Sequence, residues 1–409
     1  MDFDDTPAEA AFRAEARAWL AAHAQPAPLD ASSRRSPFGG QDEAAHVRHC
    51  KDWQRTLYDG GWAGITWPKA YGGRGASAIE AAIFGQEQSR FDVSAGVFAV
   101  GIGMVGPTLI AHGNEEQKQR YLDSMLRGEE VWCQLFSEPG AGSDLAGLRT
   151  RAERDGDEWV VNGQKVWNSG AHFSDFGILL ARTDPDQPKH RGITYFLVDM
   201  RTPGIEVRPL RQITGAAHFN EVFLTDVRIP AANVVAGVNA GWGVAHTTLA
   251  NERTLIGGAG GADFASFARL ARDFGRADDP GARQQLARLF TRLQVLRFLG
   301  YRVQTALSQG RPPGPESSVM KLAYSQHLAA TGDLVLALQG TRATLGGADA
   351  TDNGWWLNSF LNQWSSRIGG GTDQIQRNVI GERVLGLPGE PRLDKDLPFS
   401  QLGGAPGRG

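Results

Sequence analysis

The stretch Cys133-Gln134-Leu135-Phe136-Ser137-Glu138-Pro139-Gly140-Ala141-Gly142-Ser143-Asp144 sets three small residues between hydroxyl and carboxylate side chains. Glycine lets backbone approach a ligand closely, and successive N–H groups can form a concavity that suits a flat or anionic group. The same composition also reads as a plain surface turn, and the residues alone leave both readings open. The stretch falls where the chain changes character. Upstream, Ala8 to Ala22 is rich in Ala, Glu and Arg and predicts a helix. A Pro/Ser/Gly loop follows from Pro26 to Gly40, and helical stretches with short breaks run from Ala44 to about Arg127.

Downstream the apolar residues take up strand spacing. Glu158-Trp159-Val160-Val161 and Gln164-Lys165-Val166-Trp167 flank Asn162-Gly163, the dipeptide that favours a two-residue hairpin turn. Further strands are expected at Phe176–Ala181, Ile193–Val198, Ile205–Val207 and Phe219–Leu224. After Gly241 helical patterns return, at Val244–Ala259, Ala262–Phe274, Pro280–Leu307, Ser317–Ala337 and Asp373–Leu385, before a Gly- and Pro-rich tail from Pro388 that is expected to be poorly ordered. The fold class is therefore α+β. An N-terminal α domain is expected over 1–130, a middle β domain (barrel or sandwich) over 131–240, a C-terminal α domain over 241–390 and a tail over 391–409.

Charged residues make up 21% of the 409 and the formal net charge is -3, with Lys and Arg scattered rather than clustered. That distribution argues against nucleic acid. No apolar run approaches the ~20 residues that span a bilayer. Two cysteines, Cys50 and Cys133, make neither a disulfide framework nor a zinc site, and the opening Met1-Asp2-Phe3-Asp4-Asp5 is acidic where a targeting segment would be basic, so a cytoplasmic enzyme is expected. Gly101-Ile102-Gly103-Met104-Val105-Gly106 matches the dinucleotide-binding spacing, yet Pro107 and helical surroundings favour close helix packing instead. His46, His49 and Cys50 lie within about a turn of one another without a second ligand pair, so no metal is expected.

Val244, Thr248, Glu252, Leu255 and Ala259 recur at helical spacing, which puts a carboxylate on a face of small and apolar residues. Burial there would raise its pKa and make it a better base toward a weakly acidic C–H. Pairing with Arg253, or simple exposure to solvent, stands equally open from the stripe alone.

Five segments then occur in a telling order. They are Trp67-Pro68 with Tyr71-Gly72-Gly73, Ser137-Glu138-Pro139-Gly140-Ala141-Gly142-Ser143-Asp144, Asn162-Gly163-Gln164-Lys165-Val166-Trp167, Phe223-Leu224-Thr225-Asp226-Val227-Arg228-Ile229-Pro230, and Gly371-Thr372-Asp373-Gln374-Ile375-Gln376-Arg377-Asn378. Together, from about Phe12 to Leu387, they resemble the acyl-CoA dehydrogenase family of flavoproteins. The resemblance implies an α domain, a β domain and a four-helix α domain, with FAD between the last two. It further implies that Gln134, Phe136 and Ser137 border the flavin ring, with Trp167 and Ser169 covering its other parts. Gly142 and Ser143 would meet FAD phosphate or the pantetheine of the substrate, and Thr372 and Gln374 would reach the FAD pyrophosphate. The family's Arg-x-x-Phe-Gly reads Ala271-Arg272-Asp273-Phe274-Gly275 here, with Arg272 displaced by one residue. Gln339 stands well before Gly346-Gly347, where the family has Gln-x-x-Gly-Gly.

The implied reaction, in lipid metabolism, removes the α-proton of an acyl-CoA while the β-hydrogen leaves as hydride to the flavin. It needs a placed base and donors aimed at the thioester oxygen. Many relatives carry the base in Tyr-Glu-Gly-Thr; this chain has Gly369-Gly370-Gly371-Thr372. In a subset of the family the base sits on the helix where this chain has Glu252, so Glu252 is the expected base, Arg253 its neighbour in charge, Gly370 N–H a thioester donor, and bulky or branched acyl groups the expected substrates. An electron-transfer flavoprotein is the expected acceptor, and a homotetramer or homodimer the expected assembly, with a heterotetramer as the other arrangement. Two alternatives share the fold: a noncatalytic partner subunit of a heteromer, and an acyl-CoA oxidase or flavin monooxygenase.

Overall fold

The computed structural model describes residues 5–27, 42–257, 264–309, 311, 314, 317–391 and 394–402, without the side chains of 253–257, 307, 308 and 348. Its α-helices are α1 (Pro7–His23), α2 (Glu43–Asp59), α3 (Ala78–Gln88), α4 (Gly106–His112), α5 (Glu115–Leu126), α6 (Gly241–Gly257), α7 (Phe264–Asp273), α8 (Pro280–Ser308), α9 (Ser317–Gln339), α10 (Trp355–Ile368) and α11 (Asp373–Val379). The strands are β1 (Trp132–Leu135), β2 (Arg151–Asp155), β3 (Glu158–Val166), β4 (Phe176–Arg182), β5 (Ile193–Asp199), β6 (Ile205–Leu210) and β7 (Phe219–Pro230). The chain folds into two compact units that do not follow chain order. One comprises 1–43, 74–94 and 253–388; the other comprises 44–73, 95–252 and 389–409.

The second unit is built on a seven-stranded sheet in the order β1-β4-β2-β3-β7-β6, with β5 paired to β4. β1 and β4 run parallel and the longer pairings are antiparallel. Every residue of β4 is buried, so the strand shows no polar–apolar alternation, as expected where both faces are covered. Trp159, Val161, Leu179, Phe196, Val222 and Leu224 form the core beneath it. The glycine-rich run at 101–106 lies in a π-helical turn that opens α4 rather than after a strand. A Cβ at Gly106 would fall on the Trp67 indole, which is the physical reason for a small residue there. Among the described residues no group of three or more His, Cys, Asp or Glu is placed to hold a metal ion, and His46 instead lies 3.5 Å from Cys50 Sγ within α2.

Asn162-Gly163 does not turn the chain. It lies inside β3, at a register shift against β7, and the β2–β3 turn falls at Gly156-Asp157, with Gly156 at φ +61°. Glycine at 163 serves close approach instead, since a Cβ there would come 2.7 Å from Thr150 Cα. The tail also departs from expectation. Phe399 and Ser400 donate backbone hydrogen bonds to Gln187 and Pro185 carbonyls, at 2.9 and 2.8 Å.

In the first unit, α9 packs against α8, α10 and α11 around Phe267, Leu270, Leu334, Val335, Leu338 and Trp356. α10 lies in a stretch for which the sequence predicted no element. α1 joins α3 through Arg13 and Arg17, which bond the buried Glu87 carboxylate at 3.0 and 2.9 Å.

Candidate active site

β1 carries Gln134 half-buried at its third position, and the chain then enters the glycine-rich loop. The loop is held from beneath by an ion pair. Alternation along β3 puts Trp159, Val161 and Lys165 on the buried face, and Lys165, with no exposed surface, donates to Phe136 O at 3.0 Å and Glu138 Oε1 at 2.8 Å. Glu138 also accepts from the N–H groups of Arg149 and Thr150, at 2.6 and 2.8 Å. Burial opposes the Glu138 charge, but Lys165 and these N–H donors hold its carboxyl below the ordinary range. Pro139-Gly140 forms a tight turn closed by mutual Glu138–Ala141 backbone bonds, leaving Gly142 and Ser143 exposed. Val166 N–H meets Ser137 O at 2.9 Å, which sets β3 beside the loop.

Past β3 the chain turns sharply at Trp167, whose φ is +64° and whose side chain is 61% exposed, edge-on to Phe219. An indole in a strained backbone with most of its surface in water is what a flat ring would cover. Half-buried Ser169 follows in the same turn. Asn168 between them is a hub. Its side-chain amide donates to Gln134 O at 2.7 Å, its backbone carbonyl accepts from Asn220 Nδ2 at 2.8 Å, and its Oδ1 is buried without a donor among the described residues. Phe136 is buried edge-on to Tyr195. Tyr195 OH lies 3.2 Å from Thr248 Oγ1 on α6, and Thr108 Oγ1 lies 3.0 Å from the same atom. Burial pushes the Tyr195 hydroxyl and the Cys133 thiol upward, the thiol to about 12, so neither ionises near neutral pH.

On α6, Val244 and Thr248 are buried and Glu252 is half-buried one turn further on. Gln134 Nε2 comes 3.5 Å from Glu252 Oε2, the outer limit of a hydrogen bond. The carboxylate thus stands next to β1, on the helix face that carries the buried Val244 and Thr248. Ala259, and the side chains of Arg253 and Leu255, lie outside the described residues.

The other expected residues fall in the helical unit. Gly370 and Gly371 take φ of +64° and +86°, a conformation that favours glycine. Gln376 Nε2 donates to the carbonyls of both, at 3.0 and 3.3 Å. Thr372 caps α11 by accepting from Ile375 N–H, and Gln374 is exposed beside it. Arg272 is exposed in the last turn of α7, while Gln339 is buried and donates to Val335 O in its own helix. The sequence reading did not single out Glu138 or Asn168, nor the burial of Lys165. Strand parity carried a signal for Lys165 alone.

Within the sheet unit the exposed indole, the orphaned Asn168 Oδ1 and the glycine-rich crest fit a flat, anionic cofactor. Three family models match the chain in order: Acyl-CoA dehydrogenase, N-terminal domain over residues 6–129, middle domain over 133–227 and C-terminal domain over 239–385. The chain belongs to the acyl-CoA dehydrogenase family. It is 38% identical to Acyl-CoA dehydrogenase IpdE1 of Mycobacterium tuberculosis, over 93% of this chain and 98% of that relative. It is 44% identical to Acyl-CoA dehydrogenase FadE34 of the same organism over 82% of this chain but 46% of the relative, so it spans about half that protein's length. A solved structure, "Tcur3481-Tcur3483 steroid ACAD", superimposes with a TM-score of 0.80 at 30% identity, covering 95% of this chain and all of that one. As a family member the protein is an FAD-dependent oxidoreductase. Among the described residues no helix is long and apolar enough to cross a membrane.

Proposed function

We propose that the protein dehydrogenates an acyl-CoA thioester to the trans-2-enoyl-CoA, with Glu252 as the base that takes the α-proton. One observation carries the reading: a half-buried carboxylate on α6 stands within reach of Gln134, three residues before the glycine-rich signature begins at Ser137. A base must be aimed as well as basic. The buried Thr108–Thr248–Tyr195 contacts pin α6 one turn before Glu252, and the Gln134 amide orients its carboxylate. FAD, when bound, supplies the acceptor for the β-hydrogen and its electron pair. Gln134, Phe136, Ser137, Gly142, Ser143, Trp167 and Ser169 would hold it, and this reading also assigns Thr372, Gln374, Gln339 and Arg272 to it. Gly370 N–H serves the thioester oxygen, where negative charge develops as the proton leaves. Arg253, next to the base in sequence, adds positive charge to its surroundings.

The substrate in this reading is a bulky acyl-CoA of the steroid-derived or branched kind. The class named for the steroid ACAD structure supports it, and so does glycine at 370, which in this reading opens room for such an acyl group. Electrons pass on to an electron-transfer flavoprotein, in the cytoplasm. Anaerobic titration with steroid side-chain and short straight-chain acyl-CoA thioesters tests this reading. Flavin bleaching with loss of two hydrogens from the bulky thioester is expected, and a clear preference for short straight chains would sink the substrate assignment.

A second reading makes the chain one half of a heteromeric enzyme. It is favoured by the displaced Arg272 and by a structural relative whose name couples two chains. A colourless protein when purified alone, turning yellow with a partner chain, would support it.

A further inference from the structure

We propose that the C-terminal segment 394–402 is a strap that positions the signature loop for FAD and acyl-CoA, with Phe399 and Lys189 as its positioning residues. The proposal rests on the reading that this loop contacts those ligands.

The segment docks within the sheet unit, on the turn between β4 and β5. Phe399 N–H donates to Gln187 O at 2.9 Å, Ser400 N–H to Pro185 O at 2.8 Å, and Ser400 Oγ to Asp186 at 3.1 Å. Its side chains reach further, to the end of the signature loop. The Phe399 ring lies over the Arg182 guanidinium at 3.8 Å, and Arg182 is almost fully buried. Below the ring, Arg182 donates to Ala146 O at 2.6 Å, Leu148 O at 3.3 Å and Lys189 O at 2.6 Å. Lys189 Nζ in turn bridges Asp144, the last signature residue, at 3.1 Å and Asp394 of the strap at 3.4 Å.

The loop is thus anchored at two places. Glu138 is tied to the buried Lys165, and residues 144–148 are tied through Arg182 and Lys189 to the strap. Gly142 and Ser143 form the exposed crest between the anchors. The two strap contacts differ in weight. Asp144 and Asp394 are largely in water, where an ion pair contributes little. A ring over a desolvated guanidinium contributes more, and losing it also lets water reach a buried charge. Phe399 should therefore matter more than Asp394.

The test compares full-length protein with Phe399→Ala, Phe399→Tyr and Asp394→Asn. Hydrogen exchange at the Gly147 and Leu148 amides is read in the FAD-free protein, and FAD affinity by flavin fluorescence without substrate, so neither readout depends on Glu252 being the base. For Phe399→Ala we expect about fivefold or more faster exchange and about fivefold or more weaker FAD binding, or an equal rise in KM for acyl-CoA. Flavin reduction at saturating substrate should stay within about twofold, Phe399→Tyr should restore both readouts, and Asp394→Asn should change them less than Phe399→Ala. Should Phe399→Ala not fold, Phe399→Leu, which keeps bulk but removes the π face, replaces it with the same expectations. Unchanged exchange would overturn the strap. Faster exchange with unchanged FAD affinity and unchanged KM would overturn its role in ligand binding.

Discussion

Lys165→Met would leave the Glu138 carboxylate inside the sheet unit with two backbone donors and without its bonded counter-charge. Lys165 has no exposed surface and Glu138 is 8% exposed, so water cannot replace the lost partner. Breaking a buried pair from one side costs about 3–5 kcal/mol, and the lost bond to Phe136 O adds about 1 kcal/mol. Glu138→Gln keeps an acceptor for the Arg149 and Thr150 N–H groups but strands the ammonium, so a loss of similar size is expected. The double variant removes both charges, and its loss should fall short of the sum of the singles by about 2–3 kcal/mol. Urea unfolding followed by tryptophan fluorescence measures all four proteins. The pH dependence has a defined sign. Glu138 titrates lower when folded than its ordinary 4.5, so it contributes stability above that pH and loses it as the pH falls through the folded value. In Lys165→Met the carboxylate is a burden at neutral pH that protonation relieves as the pH falls toward about 4.5, and below that the parent loses its own contribution, so the gap to the parent protein should narrow steadily with falling pH. Single substitutions each costing under about 1 kcal/mol, or additive within about 0.5 kcal/mol, would refute the reasoning.

Gly106→Ala should cost about 1–3 kcal/mol, because its methyl group would occupy the Trp67 ring position, and thermal melting reads the loss directly. Gly370→Ala should cost about 1 kcal/mol through its φ of +64°, in the same assay, whereas a neutral result would mean that the turn relaxes easily.

Much of the architecture was legible because long apolar periods survive tertiary packing. Strands β4 to β7 and helices α6 to α9 and α11 lie where the periodicity put them, though α11 gives way to a π-helical turn at Ile380. Asn162-Gly163 misled because dipeptide chemistry cannot show that a glycine is required by Thr150 across the sheet. α10 escaped because the Trp355–Ile368 stretch mixes aromatic and polar residues, and only Trp356 and Gln363 are fully buried. The tail defeated a compositional reading because segment 394–402 is held by backbone bonds to the β4–β5 turn and by a ring on a buried guanidinium, contacts with no local signature. In the site, Glu252 was legible as a carboxylate on an apolar stripe, whereas the burial of Lys165 went unread although strand parity carried it. Asn168 was not, since its importance lies in bonds to Gln134 and Asn220, the latter 52 residues away.

The central claim is that Glu252 takes the α-proton. Glu252→Gln keeps the size of the side chain and the contact with Gln134 while removing the basic oxygen. Purified with its flavin and mixed anaerobically with a bulky acyl-CoA, the variant should keep the FAD spectrum while bleaching slows by about 10²–10⁴-fold. Bleaching within about tenfold of the parent rate, with FAD retained, would contradict the assignment.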